Sequence, residues 1–227
     1  MTPGFFITGT NTDVGKTWVS LGLLHALAAT GLRTAAMKPV ACGGSTTEAG
    51  GLRNEDALRL QRAAGVNLPY ALINPYCYAP PIAPHIAAQR AGQRIDIAHL
   101  KTAFDVIAAQ ADTVIVEGAG GWCVPLNERE TLADLALRLE LPVVLVVGMR
   151  LGCLNHALLS AEAIVRSDLP LAGWVASCVT PRFAELEENI AALRERLPAP
   201  LLGVVPHLAA FDAQQVGQAL NLTELLR

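Results

Sequence analysis

The chain of 227 residues is poor in charged and aromatic side chains, which make up only 16% and 5% of it. Its formal net charge is −3 and its isoelectric point is near 5.9. Nucleic acids and anionic membranes attract basic surfaces, so we expect neither as a partner. The 52% of hydrophobic residues is enough for a large core.

Long apolar runs are also missing. The longest candidate, residues 141–148, has the length of a strand, whereas a membrane-spanning helix needs roughly 18 apolar residues. No basic region precedes Phe5, so we expect no cleaved signal peptide. The mean hydropathy of +0.37 therefore indicates a parallel sheet with helices on both faces, because its strands are apolar on both sides.

Cysteine is scarce and scattered, and its residues form no C-x-x-C pair. An odd number of separated cysteines predicts neither a disulfide framework nor a zinc site. The pattern indicates a reducing cytoplasm. The five residues are Cys42, Cys77, Cys123, Cys153 and Cys178.

Strand-like apolar runs alternate with helical patterns along the chain. Strands are predicted at residues 5–8, 34–40, 113–116, 142–147, 171–177 and 201–205. Helices are predicted at residues 17–29, 54–64 with Asn54 as N-cap, 97–110, 131–139, 153–166 and 185–197. The Pro-rich residues 69–84 are predicted as an ordered loop with short turns. The alternation predicts one α/β domain over residues 1–227, with a doubly wound, mainly parallel sheet and ligands at the carboxyl ends of its strands.

The strongest motif spans residues 9–17, Gly-Thr-Asn-Thr-Asp-Val-Gly-Lys-Thr, between a predicted strand and a predicted helix. Backbone N–H groups and a helix N-terminus in this setting bind phosphate oxygens. Lys16 would reach the β- and γ-phosphates of ATP, and the Thr17 hydroxyl would bind Mg²⁺. Gly9 stands one residue earlier than the usual spacing, and the alternative is a Gly-rich turn that caps a helix. The predicted nucleotide-binding residues here are Thr12, Asp13, Val14, Gly15, Lys16 and Thr17.

A second motif, residues 114–122, places an acid directly after an apolar strand. Glu117 would help to bind Mg²⁺, because hard oxygen ligands suit this ion. The glycines after it allow the backbone to approach a ligand closely. The alternative is a strand-end turn with a solvated Glu. The predicted contacts of this turn are Gly118, Ala119 and Gly120 with the nucleotide, and Gly118 and Gly121 with a substrate.

Three further segments carry polar groups near predicted element ends. Lys38 closes the second predicted strand and could stabilise negative charge on a transferred group, although a lone strand-end lysine is usually a surface charge. Glu55 and Asp56 begin a helix, and both remain candidates for a metal ligand. Residues 148–156 form a glycine-led helix start that could hold a carboxylate, or an ordinary helix start capped by Asn155.

Together these motifs resemble the dethiobiotin synthetase family over nearly the whole chain, from Phe6 to about Leu208. The resemblance rests on residues 8–17, 38–40, 51–54 with Asp56, 74–76, 84–86, 116–122, 151–157, 171–175 and 198–203. It implies an ATP-dependent ligase that forms the ureido ring of dethiobiotin from 7,8-diaminononanoate and CO₂. The implied steps are a carbamate, a carbamic–phosphoric anhydride and ring closure.

The resemblance also implies roles for individual residues. Lys16 and Lys38 would stabilise the anionic intermediates, and Mg²⁺ would be held by Thr17, Asp56 and Glu117. The substrate carboxylate would lie at the helix start formed by Cys153, Leu154 and Asn155, across a homodimer interface.

Three positions depart from the family pattern. Cys42 stands where relatives commonly have Ser or Thr in contact with the substrate, and a thiol is a poorer hydrogen-bonding group. Ser177 stands where the family usually has Asn at the base of the nucleotide, and Pro206, His207 and Leu208 form a base-side segment that often carries Trp. We therefore expect only a weak preference for ATP over other nucleotides.

Two other classes share the loop. Partner-binding ATPases that position septa or segregate plasmids carry a signature lysine where this chain has Asn11. Amidotransferase-type synthetases need an added glutaminase domain, for which 227 residues leave no room. Neither class fits the motifs as well.

Overall fold

The computed structural model describes residues 4–47 and 50–225. In chain order the strands are β1 (Gly4–Gly9), β2 (Thr34–Met37), β3 (Val40–Cys42), β4 (Ser45–Thr46), β5 (Leu52–Arg53), β6 (Tyr76–Tyr78), β7 (Thr113–Gly121), β8 (Val143–Gly148), β9 (Leu171–Ser177) and β10 (Leu201–Val205). The helices are α1 (Lys16–Ala29), α2 (Glu55–Ala63), α3 (Tyr70–Ile73), α4 (Pro84–Arg90), α5 (Ile97–Ala108), α6 (Leu132–Leu139), α7 (Cys153–Val165), α8 (Leu186–Arg196), α9 (Ala213–Gln218) and α10 (Leu222–Leu225).

Six strands form the central sheet in the order β10-β9-β8-β1-β7-β2. Every neighbouring pair in it is parallel. The strand order reverses around β1, which lies between β7 and β8, and ligands of such folds bind beyond the carboxyl ends of the strands at this reversal. The predicted fold class, a doubly wound parallel sheet, is confirmed.

Alternate side chains of the central strands pack into two separate cores, one on each face of the sheet. In β8, Val143, Leu145 and Val147 face the core formed with α5 to α8, whereas Val144 and Val146 face the core beneath α1. Because both faces are covered, apolar residues point to both sides of these strands. This explains the high mean hydropathy without a membrane segment. In the described part of the chain, no helix combines the length and apolarity needed to cross a bilayer.

The predicted strand at residues 34–40 is wrong in its extent. Strand β2 ends at Met37, and the Lys38 amide donates to the carbonyl oxygen of Ile73 at 2.7 Å instead of continuing the sheet. Pro39 has no N–H to offer a ladder. The chain then resumes as β3, which pairs with β6 in a separate two-stranded sheet.

The Pro-rich stretch is more regular than predicted. It contains the short helix α3 and the strand β6, and it leads into α4, which has Pro84 in its first turn. Pro is well tolerated there, since the first helical N–H groups have no partner within the helix. Helices α9 and α10 were also not predicted. The Gly22 Cα lies against the Val216 side chain, so α1 and α9 are in contact.

The first turn of helix α6 offers a test of local stability. Its N-cap Thr131 accepts from the Asp134 amide, and the Asp134 carboxylate accepts from the Thr131 amide at 2.7 Å. We expect Thr131→Ala to lower the free energy of unfolding by about 1 kcal/mol, seen as a melting point lower by roughly 2–4 °C. Thr131→Ser keeps the hydroxyl and should melt close to the wild type. Equal losses in both variants would contradict the capping role.

Candidate active site

A cleft of about 850 Å³ lies at the carboxyl ends of the central strands. It is formed by the loop after β1, the residue after β2, the end of β7 and the segments after β9 and β10. The sequence-predicted residues that line it are Thr12, Asp13, Gly15, Lys16, Thr17, Lys38, Cys42, Asp56, Glu117, Ala119, Gly120, Ser177, His207 and Leu208.

The loop between β1 and α1 has the shape of an anion cradle. Gly15 is the N-cap of α1 and has a φ of 90°, a left-handed conformation that favours glycine. Lys16 is only 7% exposed, and its Nζ donates to the Asn11 carbonyl oxygen at 2.9 Å. Burial, and next the nearby Lys38 ammonium, lower the pKa of Lys16 to about 8. Among the described residues Lys16 has no ion-pair partner, so an entering phosphate would supply the counter-charge.

Glu117 is the centre of the charged network. Its side chain is fully buried, the Thr17 hydroxyl donates to its Oε1 at 2.8 Å, and Lys38 Nζ donates to the same oxygen. Asp56 Oδ2 lies 3.5 Å from Lys38 Nζ. Burial alone would lower the pKa of Lys38, but the attraction of Glu117 and Asp56 outweighs it and raises that pKa. Lys38 is therefore held as an ammonium in the cleft.

The oxygen groups around Glu117 have the chemistry that Mg²⁺ requires. The buried Oε2 of Glu117 has no hydrogen-bond partner in the described part of the structure, and the Thr17 hydroxyl and the partly exposed Asp56 carboxylate lie beside the same lysine-carboxylate pair. Residues 4–47 and 50–225 contain no group of three or more His, Cys, Asp and Glu side chains that could hold a metal. A cation here would therefore need phosphate oxygens and water, which is how Mg²⁺ is usually bound.

A buried hydrogen-bond chain fixes the relative positions of Lys38 and Asp56. The backbone N–H of Asn54 donates to the Tyr70 hydroxyl, and this hydroxyl donates to Asn74 Oδ1. Both distances are 2.8 Å. Asn74 Nδ2 in turn donates to the Lys38 carbonyl oxygen at 2.6 Å. Asn54 also caps α2 by accepting from the Ala57 amide. The start of the helix that carries Asp56 is thus tied to the backbone of Lys38.

Of the two acids at the start of α2, Asp56 faces the cleft. Glu55 pairs with Arg59 one turn later at 3.0 Å, with both side chains exposed. Neighbouring residues of a helix point about 100° apart around its axis, so the orientation of the first turn of α2 decides which acid faces the cleft. The motif left both acids as candidate metal ligands, and the structure brings Asp56, but not Glu55, to the cleft.

Comparison with known sequences reveals close, full-length relatives. ATP-dependent dethiobiotin synthetase BioD from Pseudomonas aeruginosa (strain UCBPP-PA14) is 56% identical over 98% of each chain, and that from Cellvibrio japonicus is 53% identical over 98% of this chain and 97% of the relative. ATP-dependent dethiobiotin synthetase BioD 1 from Salmonella typhi is 48% identical over the whole of both. The chain belongs to the ATP-dependent dethiobiotin synthetase family.

Two broader comparisons concern a family model and a solved structure. The family described as an AAA domain matches residues 3–215. The solved structure of cell division protein FtsY from Thermotoga maritima aligns with a TM-score of 0.49 and 16% identity, over 99% of this chain and 69% of that one. That score is too low to carry an argument, whereas the strand order around β1 describes the fold directly.

Some predicted dethiobiotin synthetase site residues do not line the cleft. Val14 is buried and packs against Gly9 and Gly148, so it supports the loop. Gly118 lies against the Phe6 ring and the Ile7 carbonyl oxygen of β1, and Gly121 lies near the Gly9 carbonyl oxygen. Pro206 precedes the lining residues His207 and Leu208. Also outside the lining are Cys153, Leu154 and Asn155.

The helix start at Cys153 differs from its sequence interpretation in one respect. Gly152, with a φ of 93°, is the N-cap of α7, and no side chain caps the helix. Asn155 is therefore the third helical residue and is exposed. The alternative of a cap by Asn155 is wrong.

The cleft also contains residues that motif analysis missed. Asn54 and Trp18 each stand beside a predicted ligand in sequence, and Cys178 and Val179 follow Ser177. Their proximity to motif residues was a usable signal. Pro84 belongs to a segment that carries the resemblance, but the rest of that wall had no signal, because it depends on how the Pro-rich stretch folds over the sheet. It is formed by Pro81, Ile82, Ala83, Val124 and Pro125.

Cys42 lies in the cleft as a neutral thiol. Burial, followed by the neighbouring Cys77, raises the pKa of Cys42 to about 11. At pH 8 only about one thiol in a thousand would be the reactive thiolate. We expect iodoacetamide to modify Cys42 at least about tenfold more slowly than the exposed Cys123, as measured by peptide mass spectrometry over time. Equal rates would contradict the burial and the raised pKa of the Cys42 thiol.

Proposed function

We propose that this protein is an ATP-dependent dethiobiotin synthetase that closes the ureido ring of dethiobiotin from 7,8-diaminononanoate, CO₂ and ATP. The observation that carries the proposal is the meeting of Lys16, Thr17, Lys38, Asp56 and Glu117 in one cleft of a chain with full-length relatives of that name. A single domain of 227 residues in the cytoplasm would perform the reaction, with ADP and phosphate as the other products.

The reaction has three steps whose intermediates are anionic. One substrate amine adds to CO₂ and loses a proton, which gives a carbamate. A carbamate oxygen attacks the γ-phosphorus, the bond to the bridging oxygen breaks, and ADP leaves. The second amine then attacks the carbamoyl carbon and loses a proton, and the ring closes as inorganic phosphate departs with the electron pair of the broken C–O bond.

The residues of the cleft suit this flow of charge. Lys16 would contact the transferred phosphoryl group, and the Lys38 ammonium would stabilise the carbamate side. Thr17, Asp56 and Glu117 would hold Mg²⁺, which neutralises charge on the phosphates when bound. Histidine is the most frequent general base. Among the described residues that line the cleft it occurs only as His207, on the wall after β10. The amines would therefore react in their neutral fraction, without a general base.

We further propose that the protein is a homodimer whose substrate site is shared. Cys153, Leu154 and Asn155 are not among the residues that line the cleft of their own chain, which supports a substrate site completed by another copy. The face around α7 has large exposed apolar side chains, with Leu151 94% exposed and Leu159 58% exposed. Contact between two such faces would bury this apolar surface.

The proposed function is tested by ATP turnover with and without diaminononanoate and bicarbonate. We expect Lys16→Ala to lower turnover by about 10²–10³-fold or more.

Lys38→Gln should lower kcat while leaving the Kd for ATP nearly unchanged, because the substrate group that Lys38 would stabilise is the carbamate and not ATP. Lys101→Gln, which alters only an exposed helical ion pair, is the matched control. An unchanged kcat in Lys38→Gln would remove Lys38 from the catalytic set.

The end of β9 predicts how strictly the nucleotide base is selected. Ser177 has one short hydroxyl beside Gly15, so it cannot make the pair of hydrogen bonds to a purine edge that an Asn amide makes at its longer reach. We expect kcat/KM for ATP to exceed that for CTP or GTP by no more than roughly one to two orders of magnitude. Ser177→Asn should sharpen the preference. Discrimination above about a thousandfold in the wild type, unchanged in Ser177→Asn, would contradict this assignment.

A further inference from the structure

Trp18 occupies a position in the cleft that the motifs do not explain. It follows Thr17 in the first turn of α1, and its side chain lines the cavity. The chain has three tryptophans. Trp122 and Trp174 are almost fully buried in the core, whereas Trp18 is partly exposed to the cleft. A large aromatic face left open at the mouth of a ligand site needs a reason.

The two ends of the cleft differ in charge. Around Lys38, Asp56 and Glu117 it is densely charged. The opposite wall, residues 177–179 with His207 and Leu208, carries no Lys, Arg, Asp or Glu. A triphosphate held by Lys16 and Thr17 would direct its reacting phosphate to the charged end. The neutral, flat base would then lie at the other end.

Trp18 belongs to the uncharged end. Its ring packs edge-on against Phe211, with centroids 5.6 Å apart and an interplanar angle of 66°. Phe211 lies four residues after His207, in the segment that leads from β10 to α9. Since α9 packs on α1 through Val216 and Gly22, this contact joins the indole to the base-side wall. An edge-on neighbour orients the indole without covering both of its faces.

We propose that the Trp18 indole stacks on the base of the bound nucleotide and supplies affinity that does not depend on which base it is. This inference rests on the proposed use of a nucleoside triphosphate and adds a base-binding residue to it. Stacking on an aromatic side chain tolerates every base, because each base has a π-face. It would add binding energy on the base side, where Ser177 provides little, without selecting one base over another.

The test separates the base from the phosphates by comparing MgATP with magnesium tripolyphosphate, which has no base. Binding is measured by calorimetry and by tryptophan emission, for the wild type, Trp18→Leu and Trp18→Phe. We expect Trp18→Leu to weaken MgATP binding by about 5- to 100-fold and to leave the Kd for tripolyphosphate unchanged. Trp18→Phe, which keeps an aromatic face, should restore most of the affinity. MgATP, and not tripolyphosphate, should quench the wild-type emission.

Each other result overturns the inference in a distinguishable way. An unchanged MgATP Kd in Trp18→Leu would show that the indole does not contact the base. Equal weakening of both ligands would mean that Trp18 acts through the loop or α1, which thermal melting of the variants would also register. If the wild-type protein bound neither ligand, the proposed function itself would fail, and the stacking proposal with it.

Discussion

The rest of the site depends on the contacts of the buried Glu117 carboxylate. A charge without solvent is tolerable only if it is paired and hydrogen-bonded. Here the Thr17 hydroxyl and the Lys38 ammonium meet the same oxygen. Because those two groups come from α1 and from the end of β2, one carboxylate joins three parts of the fold. Removing a partner from such a pair typically costs about 3–5 kcal/mol, so the charges that serve the chemistry also constrain the architecture.

The scaffold around this carboxylate makes its position rigid. Strand β7 lies between β1 and β2, and its side chains alternate between the two cores, Val116 on one face and Ile115 on the other. A shift of one residue would exchange these faces. The register of β7 is therefore strongly determined, and with it the place of Glu117 directly beyond the last apolar pairs. The chain of Asn54, Tyr70 and Asn74 then places α2 relative to Lys38.

The parts of this arrangement that could be predicted from sequence are those that local pattern determines. Strands β9 and β10 begin and end where their apolar runs do, and the phosphate loop lies between a strand and a helix as its spacing indicates. The break at Pro39 lies in the interruption of the apolar run by Lys38 and Pro39, and the predicted strand passed over it because Val40 and Ala41 resume the run. The choice of Asp56 over Glu55 needed the orientation of α2, and the wall near Pro81 needed the tertiary path of the Pro-rich stretch. Such features depend on contacts between residues distant in sequence, which a pattern within one segment does not contain.

The separation of charge along the cleft also bears on its specificity. The groups that we assign to the phosphates and the carbamate are ionic and are tied to the scaffold through Glu117. The wall that we assign to the base is uncharged and is joined to α1 by packing of Trp18 on Phe211. A hydrogen-bonding Asn distinguishes one base edge from another, because a mismatched partner leaves a polar group unpaired. An aromatic face makes no such distinction. Because the single hydroxyl of Ser177 and the indole of Trp18 both line the cleft, we expect affinity for a nucleotide to remain high while discrimination between bases declines. Selection of the correct reaction then falls to the charged end, where the triphosphate and the carbamate must be present together.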